Sequence, residues 1–252
     1  MSSLQKKVQT LVDIIKENCK LKNVDATRRK LEKIVKDGLE NLQVVCELDK
    51  TLTREEKTPF MVEWWEKAHE LLINQHINKN DIKDMVAETP VEMRPGLDVL
   101  IEKCKNNNIP FLIFSAGIAN VIEQVLIAKN LNHPDNMHIV SNQMGFNPET
   151  GICDHFEEPL IHIFNKSEIM IKKSPYYATI KNRGNVILLG DSVGDIHMAD
   201  GIQHETCLTI GFLNHEVEHF INIYLETFDI VVVDDGPMNI VNSIIDACSK
   251  DS

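Results

Sequence analysis

The stretch Asn185-Val186-Ile187-Leu188-Leu189-Gly190-Asp191-Ser192-Val193-Gly194-Asp195 decides the architecture. Val186 to Leu189 is a short, unbroken apolar run bounded by turn residues, the pattern of a strand buried on both faces. Gly190 to Gly194 reads as a turn, and Asp195 to Asp200 as the start of a helix. A buried strand that feeds a helix through a polar turn is the unit of a parallel sheet. In such sheets ligands bind beyond the carboxyl ends of the strands, which is where Asp191 and Asp195 fall.

The same pattern repeats outward. Downstream, Cys207 to Ile210 and Asp229 to Val233 read as strands, each followed by a helix. Upstream, His138-Ile139-Val140 is a strand that leads into a hairpin through Gly145 and Gly151. Ile109 to Phe114 is fully apolar, Ser115-Ala116-Gly117 is a turn, and Ile118 to Asn130 is a helix. Val44-Val45-Cys46 is another short apolar run and ends at the carboxylates Glu47 and Asp49. Between these, Pro59 to Ile73, Asp81 to Glu88 and Gly96 to Asn107 read as helices. Near the start, Leu4, Val8, Leu11, Val12 and Ile15 recur at helical spacing, as do Leu31, Ile34, Val35 and Leu39. Two helices are therefore expected, with a break at Asn23 to Asp25. The fold class is α/β, a parallel sheet between layers of helices, with no internal repeat.

Composition is consistent with this. The 252 residues are 43% hydrophobic and 25% charged, which suits a globular chain and argues against disorder. A formal net charge of -12 disfavours nucleic acid and anionic membranes as partners. The 6 cysteines form no C-x-x-C pair, so neither a zinc ribbon nor a disulfide framework is expected. No signal-peptide pattern follows Met1 and no apolar run has spanning length, so a cytoplasmic protein is expected.

Three strand ends carry groups that could do chemistry. Glu47 and Asp49, two positions apart, can face one pocket, hold Mg²⁺ through oxygen, and divide nucleophile and proton-transfer roles. Their bland reading is a pair of solvated loop acids. Ser115-Ala116-Gly117 can present a hydroxyl and N–H groups to an anion at a helix N-terminus. Its bland reading is a helix cap by Ser115. Asp191 can complete a Mg²⁺ shell begun by Asp49, with Asp195 ligating through water or orienting it. A simple turn and helix cap is the alternative there. Lys166, in Phe164-Asn165-Lys166, is a compact cation suited to phosphate, though most lysines are surface charges. His215-Glu216-Val217-Glu218-His219 formally spells the H-E-x-x-H zinc pattern but is read as a surface helix.

In order, the acid pair, serine turn, lysine and Gly-Asp-x-x-Gly-Asp match the motifs of haloacid-dehalogenase phosphatases. Glu63-Trp64-Trp65, Phe114-Ser115-Ala116-Gly117-Ile118, Val140-Ser141-Asn142, Phe164-Asn165-Lys166, Leu188-Leu189-Gly190-Asp191-Ser192 and Gly211-Phe212-Leu213-Asn214 resemble the cytosolic pyrimidine 5′-nucleotidases and their 7-methylguanosine-phosphate relatives. The resemblance runs from about Asp25 onward. It implies a Rossmann-like core at 1–53 and 109–252, with a reduced helical cap at 54–108. It implies a monomeric, Mg²⁺-dependent hydrolase of nucleoside 5′-monophosphates working through an acyl-phosphate. Glu47 would stand at the nucleophile position and Asp49 would be the general acid/base. Thr51 would support the first loop, and Ser115, Ala116 and Lys166 would bind phosphate. Glu47, Asp49, Asp191 and Asp195 would surround the metal, and Trp64, with Trp65 beside it, could stack on a base.

Two departures from the family stand out. Its nucleophile is aspartate, and here Glu47 carries one more methylene, a displacement of roughly 1 Å that can cost about 100-fold. After Thr53-Arg54 the family's longer cap segment is missing, including a base-recognising glutamate, and a base-contacting serine position is Ala68. The second reading is therefore a weak or inactive paralogue that still binds Mg²⁺ and phosphate or nucleotide.

Overall fold

The structure, a computed structural model, describes residues 2–48, 51, 63–161 and 176–249, and for residues 63–66 the backbone alone. Helix α1 (Ser3–Asn18) opens with Ser2 and Gln5 capping each other's backbone N–H groups. A three-residue strand, β1 (Cys19–Leu21), follows at once and precedes α2 (Val24–Asp37). The interruption between the first two helices lies earlier than the expected Asn23 to Asp25 and is a strand, while Asn23 caps α2 and Asp25 is already helical. Next come β2 (Leu42–Cys46), α3 (Glu63–Asn74), α4 (Lys79–Glu88), α5 (Leu97–Asn106), β3 (Phe111–Ile118) and α6 (Ala119–Ala128). Strand β4 (Met137–Asn142) leads to the hairpin β5 (Met144–Phe146) and β6 (Cys153–Phe156). The chain closes with α7 (Tyr177–Ile180), β7 (Asn185–Gly190), a 3-10 turn at Val193–Ala199, β8 (Thr206–Leu213), α8 (Val217–Thr227), β9 (Ile230–Val233) and α9 (Asn239–Cys248).

Among the described residues one sheet of seven strands runs in the order β1-β9-β8-β7-β2-β3-β4. All neighbours are parallel except β1, which pairs antiparallel with β9. The order reverses at β2. The chain grows one way through β3 and β4, then returns to the other side of β2 through β7, β8 and β9. A reversal of this kind opens a crevice at the carboxyl ends of the strands.

Strand side chains alternate between two cores, as a period of two requires. Val44, Cys46, Phe111, Ile113, Ile187 and Leu189 face a cluster completed by α1, α2, α5, α6 and α9. Val45, Leu112, Phe114, Val186 and Leu188 face the opposite cluster, packed by α7, α8 and the 3-10 turn. Helix α5, which lies inside the expected cap range 54–108, sends Leu97, Leu100, Ile101 and Cys104 into the first cluster. A third, smaller cluster joins α3 and α4 to the β5–β6 hairpin through Ile77, Ile82, Met144 and Cys153. Among the described residues no helix is long and apolar enough to cross a membrane.

Candidate active site at the carboxyl edge of the sheet

Strand β2 is buried at every position and delivers Glu47 to the crevice. Cys46 pairs with Ile113 of β3 on one side and with Leu189 of β7 on the other. The Glu47 N–H donates to the Leu189 carbonyl at 3.0 Å, which carries the ladder one residue beyond the strand. Glu47 is 4% exposed. Its neighbours across the sheet are therefore the end of β7, which gives Gly190 and Asp191, and β3, which gives Ser115.

The Asp191 loop is built around Asp195. One carboxylate oxygen, Oδ2, accepts the backbone N–H of Asp191 at 3.1 Å and of Ser192 at 2.9 Å. Ser192 Oγ accepts the Gly194 N–H in return, which makes a capping box for the 3-10 turn. Asp195 is 2% exposed and sits behind Asp191. A Cβ on Gly190 would lie 2.5 Å from the Asp195 Cβ, so the close approach of the two backbones requires glycine. Two further groups reach Asp191. The Thr51 hydroxyl donates to its Oδ1 at 3.1 Å, and the Tyr224 hydroxyl donates to its carbonyl.

Ser115 lies elsewhere than the expected turn. The chain stays extended through Ser115-Ala116-Gly117 as the end of β3, with a shift in register after Phe114. Ser115 does not cap α6, whose N-cap is Ile118 without a side-chain bond. Instead Ser115 Oγ accepts the Gly117 N–H at 3.0 Å, inside a segment held by the end of β4. Asn142 Nδ2 donates to the Ala116 carbonyl at 2.8 Å and to the Ile161 carbonyl at 2.9 Å. Asn142 Oδ1 accepts the Ile161 N–H at 2.8 Å, and Ser141 Oγ donates to the Gly117 carbonyl at 2.7 Å. Three such bonds on one buried amide fix the serine segment against the chain that leads towards Lys166.

Glu47, Ser115, Ala116, Asp191 and Asp195 thus sit on adjacent strand ends around the switch point. Asp49, Lys166 and the side chain of Trp64 lie outside the described residues. Glu47 and Asp191 are oxygen donors, the kind of group that a hard cation such as Mg²⁺ takes, so the donor chemistry fits. Among the described residues no three His, Cys, Asp or Glu side chains converge as a metal-binding group, and of the four expected there, Glu47, Asp49, Asp191 and Asp195, Asp49 lies outside those residues. Sequence reading missed Arg94, whose Nε donates to the Thr51 carbonyl at 2.6 Å, as well as Tyr224 and the bracing role of Asn142.

An acid-lined crevice at the switch point of a parallel sheet is the arrangement of haloacid-dehalogenase-type hydrolases. A HAD family hydrolase of Salmonella enterica serovar Typhi superposes over 83% of this chain and 73% of its own, with a TM-score of 0.54 at 14% identity, which shows the fold alone. Residues 4–249 match the sequence model of the pyrimidine 5′-nucleotidase (UMPH-1) family, and the chain belongs to that family. It is 41% identical over 215 residues to the 7-methylguanosine phosphate-specific 5′-nucleotidase of Gallus gallus, covering 85% of this chain and 73% of that protein. The Homo sapiens protein of the same name is 42% identical over 200 residues, covering 79% of this chain and 66% of its own length. The chain therefore spans about two thirds to three quarters of the curated relatives it matches. The crystal structure of cytosolic 5′-nucleotidase IIIB bound to cytidine has a TM-score of 0.82 at 25% identity, over 96% of this chain and 97% of that one.

Proposed function

We propose that the chain is a Mg²⁺-dependent 5′-nucleotidase that hydrolyses nucleoside 5′-monophosphates to nucleoside and phosphate. The observation that carries this reading is the meeting of β2 and β7, where the Glu47 N–H bonds to Leu189 and the Thr51 hydroxyl bonds to the Asp191 carboxylate. That pairing joins the first and last acid-bearing segments in a chain of a nucleotidase family.

In this reading the Glu47 carboxylate attacks phosphorus and displaces the nucleoside oxygen, which Asp49 protonates. Water then hydrolyses the resulting acyl-phosphate, and Asp49 accepts its proton. Glu47, Asp49 and Asp191 would hold Mg²⁺, which supplies charge neutralisation to the phosphoryl oxygens. Asp195 acts behind Asp191, since its carboxylate already holds two N–H groups of that loop. Ser115, the Ala116 backbone and Lys166 bind the phosphate, and Trp64 stacks on the base. The cap lies within 54–108 and centres on α3 and α4, which pack on the β5–β6 hairpin while α5 packs in the core. The relatives named for 7-methylguanosine phosphate make that nucleotide the first to try. We also take the protein to be a cytoplasmic monomer.

The test is phosphate release from a panel of pyrimidine and 7-methylguanosine monophosphates, with Mg²⁺ and with EDTA. Turnover that needs Mg²⁺ supports the reading. Release no faster than from a Glu47→Gln, Asp49→Asn double variant would leave the paralogue that binds without turnover.

A further inference from the structure

Arg94 is 1% exposed and precedes α5, far in sequence from every acid of the crevice. A buried guanidinium is tolerated only when its donors are met, and here each branch is occupied. Nε donates to the Thr51 carbonyl at 2.6 Å, Nη1 to the Gly236 carbonyl at 2.7 Å, and Nη2 to Asn214 Oδ1 at 3.0 Å. Nη1 also forms an ion pair with Asp235 Oδ1 at 3.0 Å, and the group lies 4.5 Å from the Phe212 ring centre. Thr51 follows β2, Asn214 follows β8, and Asp235 and Gly236 follow β9. One side chain therefore draws together three segments that leave the sheet at its carboxyl edge.

The bond to Thr51 has a particular consequence. Thr51 is fully buried, its carbonyl is held by Arg94, and its hydroxyl donates to Asp191 Oδ1. Holding the carbonyl anchors the Thr51 backbone, and with it the point from which the hydroxyl reaches Asp191. We propose that Arg94 is a positioning residue of the crevice: through Thr51 it sets the orientation of the Asp191 carboxylate. Arg94 touches no reacting atom in this scheme. Its effect on turnover rests on the hydrolase reading above, whereas its effect on the Asp191 loop does not.

The test compares Arg94→Met, Arg94→Lys, Thr51→Val, the Arg94→Met, Thr51→Val double variant, and Arg183→Met as a control at the opposite edge of the sheet. Two readouts are taken: amide hydrogen exchange at Asp191 and Ser192 in the metal-free protein, and kcat against KM. In Arg94→Met the two amides should exchange at least about tenfold faster, because the local opening they report becomes easier. Turnover should fall roughly 10- to 100-fold, the scale of a small misplacement, with KM within about threefold. Thr51→Val should move both readouts the same way, and the double variant should be no worse than Arg94→Met, because the two act in series. Arg94→Lys should recover part of both, since an ammonium can still donate to the Thr51 carbonyl. Arg183→Met should lower the melting temperature and move neither readout. If Arg94→Met melts earlier while Asp191 and Ser192 exchange as in the wild type, Arg94 only braces the fold and the proposal is overturned. If the wild type hydrolyses no nucleotide, the hydrolase reading fails while the exchange rates still decide the role of Arg94.

Discussion

Two arginines hold opposite edges of one sheet, and they hold different things. At the amino edge Arg183 donates to the main-chain carbonyls of Leu39 at 3.0 Å, Leu42 at 2.9 Å and Asn108 at 2.8 Å, where the chain enters β2 and β3, and to that of Thr179 in α7 at 3.3 Å. At the carboxyl edge Arg94 donates to carbonyls where the chain leaves β2 and β9, and to the Asn214 side chain after β8. The chemistry of the donor is the same. The difference lies in what surrounds the acceptors. Around Arg183 they are strand entries and a short helix that need only to be satisfied. Around Arg94 they belong to loops that carry Thr51 and, through it, Asp191. The reversal of strand order at β2 places the crevice at one edge only, so the same clamp is structural below and positioning above.

The strongest way to sharpen that contrast is Glu47→Asp. If the carboxyl edge is otherwise assembled, shortening the nucleophile should raise kcat by something like 100-fold, about 2.7 kcal/mol of barrier, with little change in KM and in melting temperature. Steady-state kinetics at saturating Mg²⁺ would show it. An unchanged kcat would mean that the edge is not assembled for catalysis.

Gly190→Ala should act at the same edge through packing. Its Cβ would fall 2.5 Å from the Asp195 Cβ, so the loop must shift, at a cost of roughly 1–3 kcal/mol. Urea unfolding would read the loss, and Asp191 and Ser192 should lose amide protection with it. Unaltered protection would show that the loop does not depend on this close contact.

Arg183→Met should cost about 1–3 kcal/mol, because the partly buried carbonyls of Leu39 and Leu42 lose their donor. Turnover measured well below the melting temperature should stay the same. A fall in kcat like that expected for Arg94→Met would break the distinction between the edges.

The smallest effect concerns pH. His69 of α3 stacks on Phe156 of β6 at 3.8 Å, and His138 of β4 stacks on Tyr176 at 4.8 Å. Burial pushes the pKa of both below the ordinary value of 6.5. The unfolded chain therefore takes up protons near that pH while the folded chain does not, and stability falls as pH drops below about 6.5. Above that value the term is fully present. His69→Phe and His138→Phe should each flatten the decline in melting temperature between pH 7.5 and 5.5. An unchanged slope in both would assign the decline to other groups.

Much of the fold was legible because its strands are buried on both faces and read as apolar runs. Val186 to Leu189 and Cys207 to Ile210 lie within strands, and Ile109 to Phe114 overlaps β3, which begins two residues later at Phe111. Strand β1 was not legible. It has three residues, follows α1 without a turn, and exists because Cys19 to Leu21 pair with Ile230 to Val232. Ser115 to Gly117 read as a turn from their small side chains, but bonds from Ser141 and Asn142 keep the backbone extended. Arg94 gave no signal, since an arginine before a proline and a glycine looks like any loop residue.

The sequence by itself determined the helices and the apolar strands of the parallel sheet, and that acids stand at strand ends. Those features follow from local periodicity and from turn residues, which a short window contains. Only the tertiary structure decided which ends meet. The Thr51 hydroxyl and Asp191 are 140 positions apart and are joined because β2 lies between β3 and β7. Parallel pairing is a long-range choice, set by crossovers and by burial on both faces. The convergence of Thr51, Asn214 and Gly236 on Arg94 depends on that choice, and no local pattern encodes it.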